Sequence, residues 1–129
     1  MKIDGRTIAE EMLTKLAAEV AEVKKQGVTP TMVVILVGDN PASLSYIKQK
    51  QIAAEKIGAK LLLNKQQTTN NKQQLKKIIE QYNTDPSIHG IIIQRPLPGT
   101  LSDTGAVLSS IATQKDVDGF VPGSPFEVP

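Results

Sequence analysis

Met32-Val33-Val34-Ile35-Leu36-Val37-Gly38-Asp39-Asn40-Pro41-Ala42-Ser43-Leu44-Ser45-Tyr46-Ile47-Lys48-Gln49-Lys50 decides the fold of this chain. Its first part is an unbroken apolar run, mostly β-branched, which reads as a strand buried on both faces. Gly38 ends the run. Asn40 suits a helix N-cap and Pro41 the first helical position. The spacing predicts a helix from there to about Gly58, where glycine suits the stop. Strand, tight loop and helix make up the first half of a βαβ unit.

Tyr46 and Lys50 stand four apart on that helix and share a face. With Tyr46 at zero and about 100° per residue, Lys50 falls near ~40°, Ala53 near ~340° and Ile57 near ~20°. Lys50 is therefore inside the most apolar arc, whereas Lys48 and Glu55 fall opposite and read as solvent charges. A lysine on an inward stripe either snorkels out, finds a partner or lines a pocket. Position alone leaves these open.

Upstream, Asp4-Gly5 reads as a turn after a short extended Lys2-Ile3. Ile8, Met12, Leu16, Val20 and Val23 then recur at three- and four-residue steps, which predicts an amphipathic helix from about Arg6 to Lys25, stopped by Gly27. Downstream, Lys60 to Leu63 is a second strand candidate. Asn64 to Asn71 is polar and reads as a loop with a cap. Leu75, Ile78, Ile79 and Tyr82 mark a third helix, ended by Asn83 to Pro86. Ile91 to Gln94 is the clearest strand after the first, and Arg95-Pro96-Leu97-Pro98-Gly99 breaks it. Leu101 to Ala112 is a weaker helix. Strands alternating with helices predict an α/β fold, a three-layer domain with a short, mainly parallel sheet flanked by helices. Ligands on such sheets bind beyond the carboxyl ends of the strands. The Gly38–Ala42 and Gln94–Gly99 loops both belong to that rim, and the loop carrying Asp118 is expected to reach it too.

At 129 residues the chain is long enough for one domain with a real core. Its 40% hydrophobic and 22% charged residues are ordinary for a soluble globular protein, and a net charge of +2 from scattered lysines gives no nucleic-acid footprint. Aromatics at 3% provide no stacking platform for single strands. No cysteine is present, which excludes disulfides and thiolate metal sites. The apolar runs are too short for a membrane span, and the N-terminus has no signal-peptide core. A soluble, cytoplasmic protein without a metal, nucleic-acid or membrane partner is expected.

The chemistry-bearing residues are few. No Gly-Lys-Ser/Thr follows the Gly38 loop and no Gly-x-Gly-x-x-Gly occurs, so neither phosphate fingerprint is present. Tyr46 with Lys50 offers a phenol and an amine that can exchange protons; the plain alternative is a core-edge tyrosine beside a snorkelled lysine. Gln94 ends an apolar strand where an amide can orient a lysine or a substrate atom, or simply be a polar residue at a strand's wet end. Asp116 and Asp118 flank Val117 before Gly119. They lack the further ligands of a calcium loop, and read as a turn or as a carboxylate gripping an amino-substituted heterocycle. His89, the single histidine, precedes Gly90 at a strand start and reads as structural.

Taken together, three ordered stretches resemble the bifunctional methylenetetrahydrofolate dehydrogenase/methenyltetrahydrofolate cyclohydrolase family. They are Val37-Gly38-Asp39-Asn40-Pro41-Ala42-Ser43 with Tyr46 and Lys50, then Gly90-Ile91-Ile92-Ile93-Gln94 with Pro96-Leu97-Pro98, then Lys115-Asp116-Val117-Asp118-Gly119-Phe120. The N-terminal Ile3-Asp4-Gly5 and its helix also look like the family's start.

The resemblance implies one-carbon folate metabolism serving purine biosynthesis. It implies oxidation of 5,10-methylenetetrahydrofolate by NADP, then hydrolysis of the methenyl product to 10-formyltetrahydrofolate. It makes Lys50 the acid/base, Tyr46 its partner lining the folate pocket, Gln94 the residue tuning the lysine and Asp118 the holder of the pterin ring. Pro96 and Leu97 join the substrate-binding set. A small-molecule folate is the implied partner, and a homodimer the implied assembly. Arg95 stands where the family usually has an apolar residue such as leucine. The expected organisation is a folate-binding catalytic domain at 1–120 and a shortened connection at 121–129. The NADP-binding Rossmann domain is absent from this stretch, so dehydrogenase activity is not expected from these residues by themselves. The competing reading is a non-catalytic α/β module binding a folate, an anion or a partner through the Gly38 loop.

Overall fold

Strand β1 (Thr31–Val37) forms the middle of a parallel sheet, with β2 (Lys60–Gln66) on one side and β3 (Gly90–Ile93) on the other. The computed structural model describes residues 4–67, 71–95, 97, 107–119, 121 and 123–126. Parallel neighbours cannot be joined by hairpins, so helices carry the chain across. Helix α2 (Pro41–Ile57) connects β1 to β2, and helix α3 (Lys72–Asn83) lies between β2 and β3 in sequence. Helix α1 (Gly5–Lys25) precedes the sheet and packs against α2.

The apolar run buries both faces of β1, as its composition requires. Val34 and Leu36 join Ile47 of α2 and Ile92 of β3 in one cluster. Val33, Ile35 and Val37 join Leu75 and Ile79 of α3 in the other, larger one. Each of these β1 residues is at most 3% exposed.

The helix ends obey local chemistry. Asn40 accepts from the Ser43 N–H at 3.1 Å, Pro41 opens α2, and Gly58 closes it in the left-handed conformation with φ 80°. A capping box of Asn71 and Gln74 starts α3. At α1 the expectation of a turn at Asp4-Gly5 gives way to a cap. The Asp4 carboxylate accepts from the Arg6 and Thr7 N–H groups, and the helix begins at Gly5. The apolar stripe of α1 is only partly covered: Val20 is buried, but Met12 is 58% exposed and Ile8 47%.

β2 runs three residues further than its apolar content suggests, through Asn64, Lys65 and Gln66. The ladder to β1 continues over Leu36↔Lys65 and Val37↔Gln66, so backbone pairing extends the strand where side-chain polarity reads as loop. On this edge strand those polar groups find partners: Lys65 with Asp39, and Asn64 with the Tyr82 hydroxyl and Gln66.

The expected helix at Leu101–Ala112 falls partly outside the described residues; Val107 and Leu108 are helical and the chain turns at 109–110. The Lys2-Ile3 start also lies outside them. The segment from Ser110 to Lys115 is stapled to the end of α3. Asn83 donates to the Ser110 carbonyl at 2.7 Å and accepts from the Ala112 N–H at 2.8 Å. Lys115, ending a 3-10 turn at Thr113–Lys115, donates to the Tyr82 and Asp85 carbonyls at 2.7 and 2.8 Å. The Ser87 hydroxyl and N–H, more than the nearby Lys115 charge, hold the Asp85 carboxyl below its ordinary value.

Candidate functional site

Lys50 sits in the middle of α2, half-buried, and its Nζ donates to Gln94 Oε1 at 3.1 Å. Gln94 is the first residue past β3, held by its N–H to the Ile35 carbonyl at 3.0 Å and 9% exposed. Its Nε2 donates to the Arg95 carbonyl at 3.4 Å, which turns Oε1 toward the lysine. The lysine on the inward stripe thus has a polar partner. The arrangement leaves the amine's other protons or its lone pair for a third group.

Lys50 also faces a cavity of about 400 Å³. Leu16 of α1, Ala53 and Ile57 of α2, Met32 of β1 and Val117 line it with the lysine. Its wall is mostly apolar, and Lys50 is one of the few charged residues in it. Tyr46, one turn earlier, is 61% exposed and lies outside that lining.

The Asp116–Gly119 turn touches the sheet through Val117. The loop carrying Asp118 is expected to reach the carboxyl rim with Gln94; within this turn, Val117 packs on Gly90, the first residue of β3, at the amino end. A Cβ on Gly90 would lie 2.9 Å from Val117 Cγ1, so only glycine leaves room for this approach. Gly90 and Gln94 are four apart on one strand and share its α2-side face, about 13 Å end to end. The two carboxylates differ: Asp116 is 1% exposed and accepts from the Val121 N–H at 2.8 Å, whereas Asp118 is exposed.

The remaining candidates fall elsewhere. Leu97 is buried in the α3-side core, so its side chain packs there instead of facing the cavity. Pro96 lies outside the described residues. Arg95 is exposed. His89 accepts from the Thr31 N–H at 3.0 Å through Nδ1 and plays the structural part expected of it. Sequence reasoning weighs Asp116 together with Asp118 but does not single out Gly90 as part of the site. A glycine opening an apolar strand is the signal that could have marked it. Among the described residues no group of three or more His, Asp or Glu could hold a metal ion, and no helix is long and apolar enough to cross a membrane.

The family model for the tetrahydrofolate dehydrogenase/cyclohydrolase catalytic domain matches residues 3–118. The chain belongs to this family. The bifunctional protein FolD of Bacillus subtilis is 49% identical to it over 120 residues, which is 93% of this chain and 42% of that protein. FolD of Bacillus licheniformis is 48% identical over the same share. Among solved structures, the Campylobacter jejuni bifunctional enzyme FolD superposes with a TM-score of 0.89 at 38% identity, covering 92% of this chain and 42% of that one. The Trypanosoma brucei N5,N10-methylenetetrahydrofolate dehydrogenase-cyclohydrolase, solved with NADP cofactor and an inhibitor, gives 0.88 at 29% identity, covering 95% and 41%. The open α/β fold with its parallel sheet is that of these structures, and membership of the dehydrogenase/cyclohydrolase family does not favour the non-catalytic module. The chain spans about 42% of the length of the curated relatives it matches.

Proposed function

We propose that this chain carries the folate site of a methylenetetrahydrofolate dehydrogenase/methenyltetrahydrofolate cyclohydrolase, with Lys50 as its acid/base. The Lys50–Gln94 hydrogen bond carries the proposal, because it holds an amine at the edge of an apolar space with its remaining valences free. In the hydrolysis, water's oxygen bonds to the methenyl carbon bridging N5 and N10. The carbon–N5 bond then breaks, leaving 10-formyltetrahydrofolate and one proton. Lys50 takes the proton from the attacking water and returns one to N5 as it leaves, the net proton passing to solvent. Gln94 keeps the amine in place through both transfers. Asp118 accepts hydrogen bonds from the pterin's amino-pyrimidine edge, and Tyr46, exposed one turn before Lys50, meets the folate outside the apolar cavity.

NADP would accept the hydride in the preceding oxidation. Residues 1–129 do not fit it, since no Gly-x-Gly-x-x-Gly follows a strand anywhere in them, and no hydride step is assigned to them. The same reading extends to a cytoplasmic homodimer serving purine biosynthesis; sedimentation of the purified chain tests the dimer.

Calorimetric titration with a tetrahydrofolate analogue tests the site itself. Saturable binding, weakened by Lys50→Met and by Asp118→Ala, is expected. A chain that stays folded yet takes up no analogue at millimolar concentration overturns the proposal.

A further inference from the structure

We infer that Asp116 is a positioning residue, which acts on the folate through Asp118 without touching it. This rests on the folate reading above. Asp116 is 1% exposed, too buried to meet a ligand itself. It closes the turn around Asp118 twice. Its carboxylate accepts from the Val121 N–H at 2.8 Å, and its carbonyl accepts from the Gly119 N–H at 3.1 Å.

The turn is anchored on both flanks. Before it, Lys115 is bound to the end of α3; after Asp116, Val117 is seated on Gly90. Gly119 takes φ 75°, a left-handed conformation that lets the chain fold back so sharply. Asp118 itself is exposed at the tip. It therefore depends on its neighbours for orientation, and the buried carboxylate two residues earlier supplies the closure. A carboxylate accepting from a backbone N–H in a buried site is among the stronger single hydrogen bonds available for such a task. A shift of about 1 Å in a binding group is enough to cost up to ~100-fold.

Calorimetry with tetrahydrofolate on the 129-residue chain separates this from a purely structural role. Asp116→Ala is expected to weaken binding about tenfold while the protein remains folded. Asp116→Asn, whose amide oxygen can still accept from the Val121 N–H, is expected to recover most of that loss. In an Asp118→Ala background, Asp116→Ala is expected to cost nothing further. Wild-type affinity in a folded Asp116→Ala overturns the inference. So does an equal loss with and without the Asp118 carboxylate.

If Asp116→Ala does not fold, Gly119→Ala strains the same turn from its other end, where φ is 75°; it should give the same pattern, and unchanged binding there overturns the inference equally. Binding that responds to Asp118→Ala but not to these turn variants removes this inference and leaves the folate reading standing. A folded wild-type chain that takes up no tetrahydrofolate removes both.

Discussion

The Lys50 ammonium and the Gln94 amide meet at 3.1 Å across 44 positions of sequence, one from the middle of a helix and one from the end of a strand. That meeting turns a lysine on an apolar helix face into a held amine.

Replacing Lys50 by Met keeps most of the length of the side chain but removes the proton carrier. Hydrolysis of the methenyl compound, monitored by absorbance, is expected to fall by about 10²- to 10⁴-fold. Because Lys50 is half-buried, the urea midpoint is expected to stay close to that of the wild type.

Gly90→Ala tests the seat of Val117. The new methyl would meet Val117 Cγ1 at 2.9 Å and Cγ2 at 3.3 Å, and overpacking of this kind costs about 1–3 kcal/mol. Chemical denaturation should show that loss. Adding Val117→Ala should recover most of it, since the next neighbour, Met32 Cγ at 3.6 Å, is an ordinary contact.

Lys115→Met removes the donor for two carbonyls at the end of α3. About 1–3 kcal/mol of stability is expected to go with it in urea melts. Hydrogen exchange should quicken at Lys115, Val117 and Gly119, whose N–H groups are bonded within this segment.

The α1 cap carries a pH signature. Chiefly the Thr7 hydroxyl, and then the Thr7 and Arg6 N–H groups, hold the Asp4 carboxyl below its ordinary value. A carboxyl lowered by folding stabilises the folded state fully above the unfolded value of about 3.9, and that contribution is lost as pH falls through the lower folded value. Carboxyl titration by NMR should place Asp4 below the usual range and move it upward in Thr7→Val.

Much of the fold is legible from one stretch. The apolar run from Met32 to Val37 requires a strand covered on both sides, and Asn40, Pro41 and Gly58 set the ends of the helix after it. Parallel pairing then puts the Gly38 loop and Gln94 on one rim, close enough for Lys50 to reach the amide. The departures share a cause: the backbone decides where side-chain polarity points the other way. Asn64, Lys65 and Gln66 are polar, yet they continue a ladder because β1 continues beside them. Asp4 reads as a turn because its bonds to two N–H groups have no sequence period. The seat of Val117 on Gly90, at the amino end of β3, is not legible. It depends on contacts between distant residues, those of Lys115 with the end of α3, of Asn83 with Ser110 and Ala112, and of Val117 with Gly90.

The central position of β1 also bears on how the protein is made. The strand that both neighbours need emerges from the ribosome first and alone. Its earlier partner, β2, is complete only roughly 30 residues later, a delay of a few seconds at ordinary rates of synthesis. Through that interval the most apolar segment of the chain has only α1 and the growing α2 for shelter. A slow stretch of translation or a chaperone that recognises short aliphatic runs would act on the nascent protein here, between Val37 and Gln66.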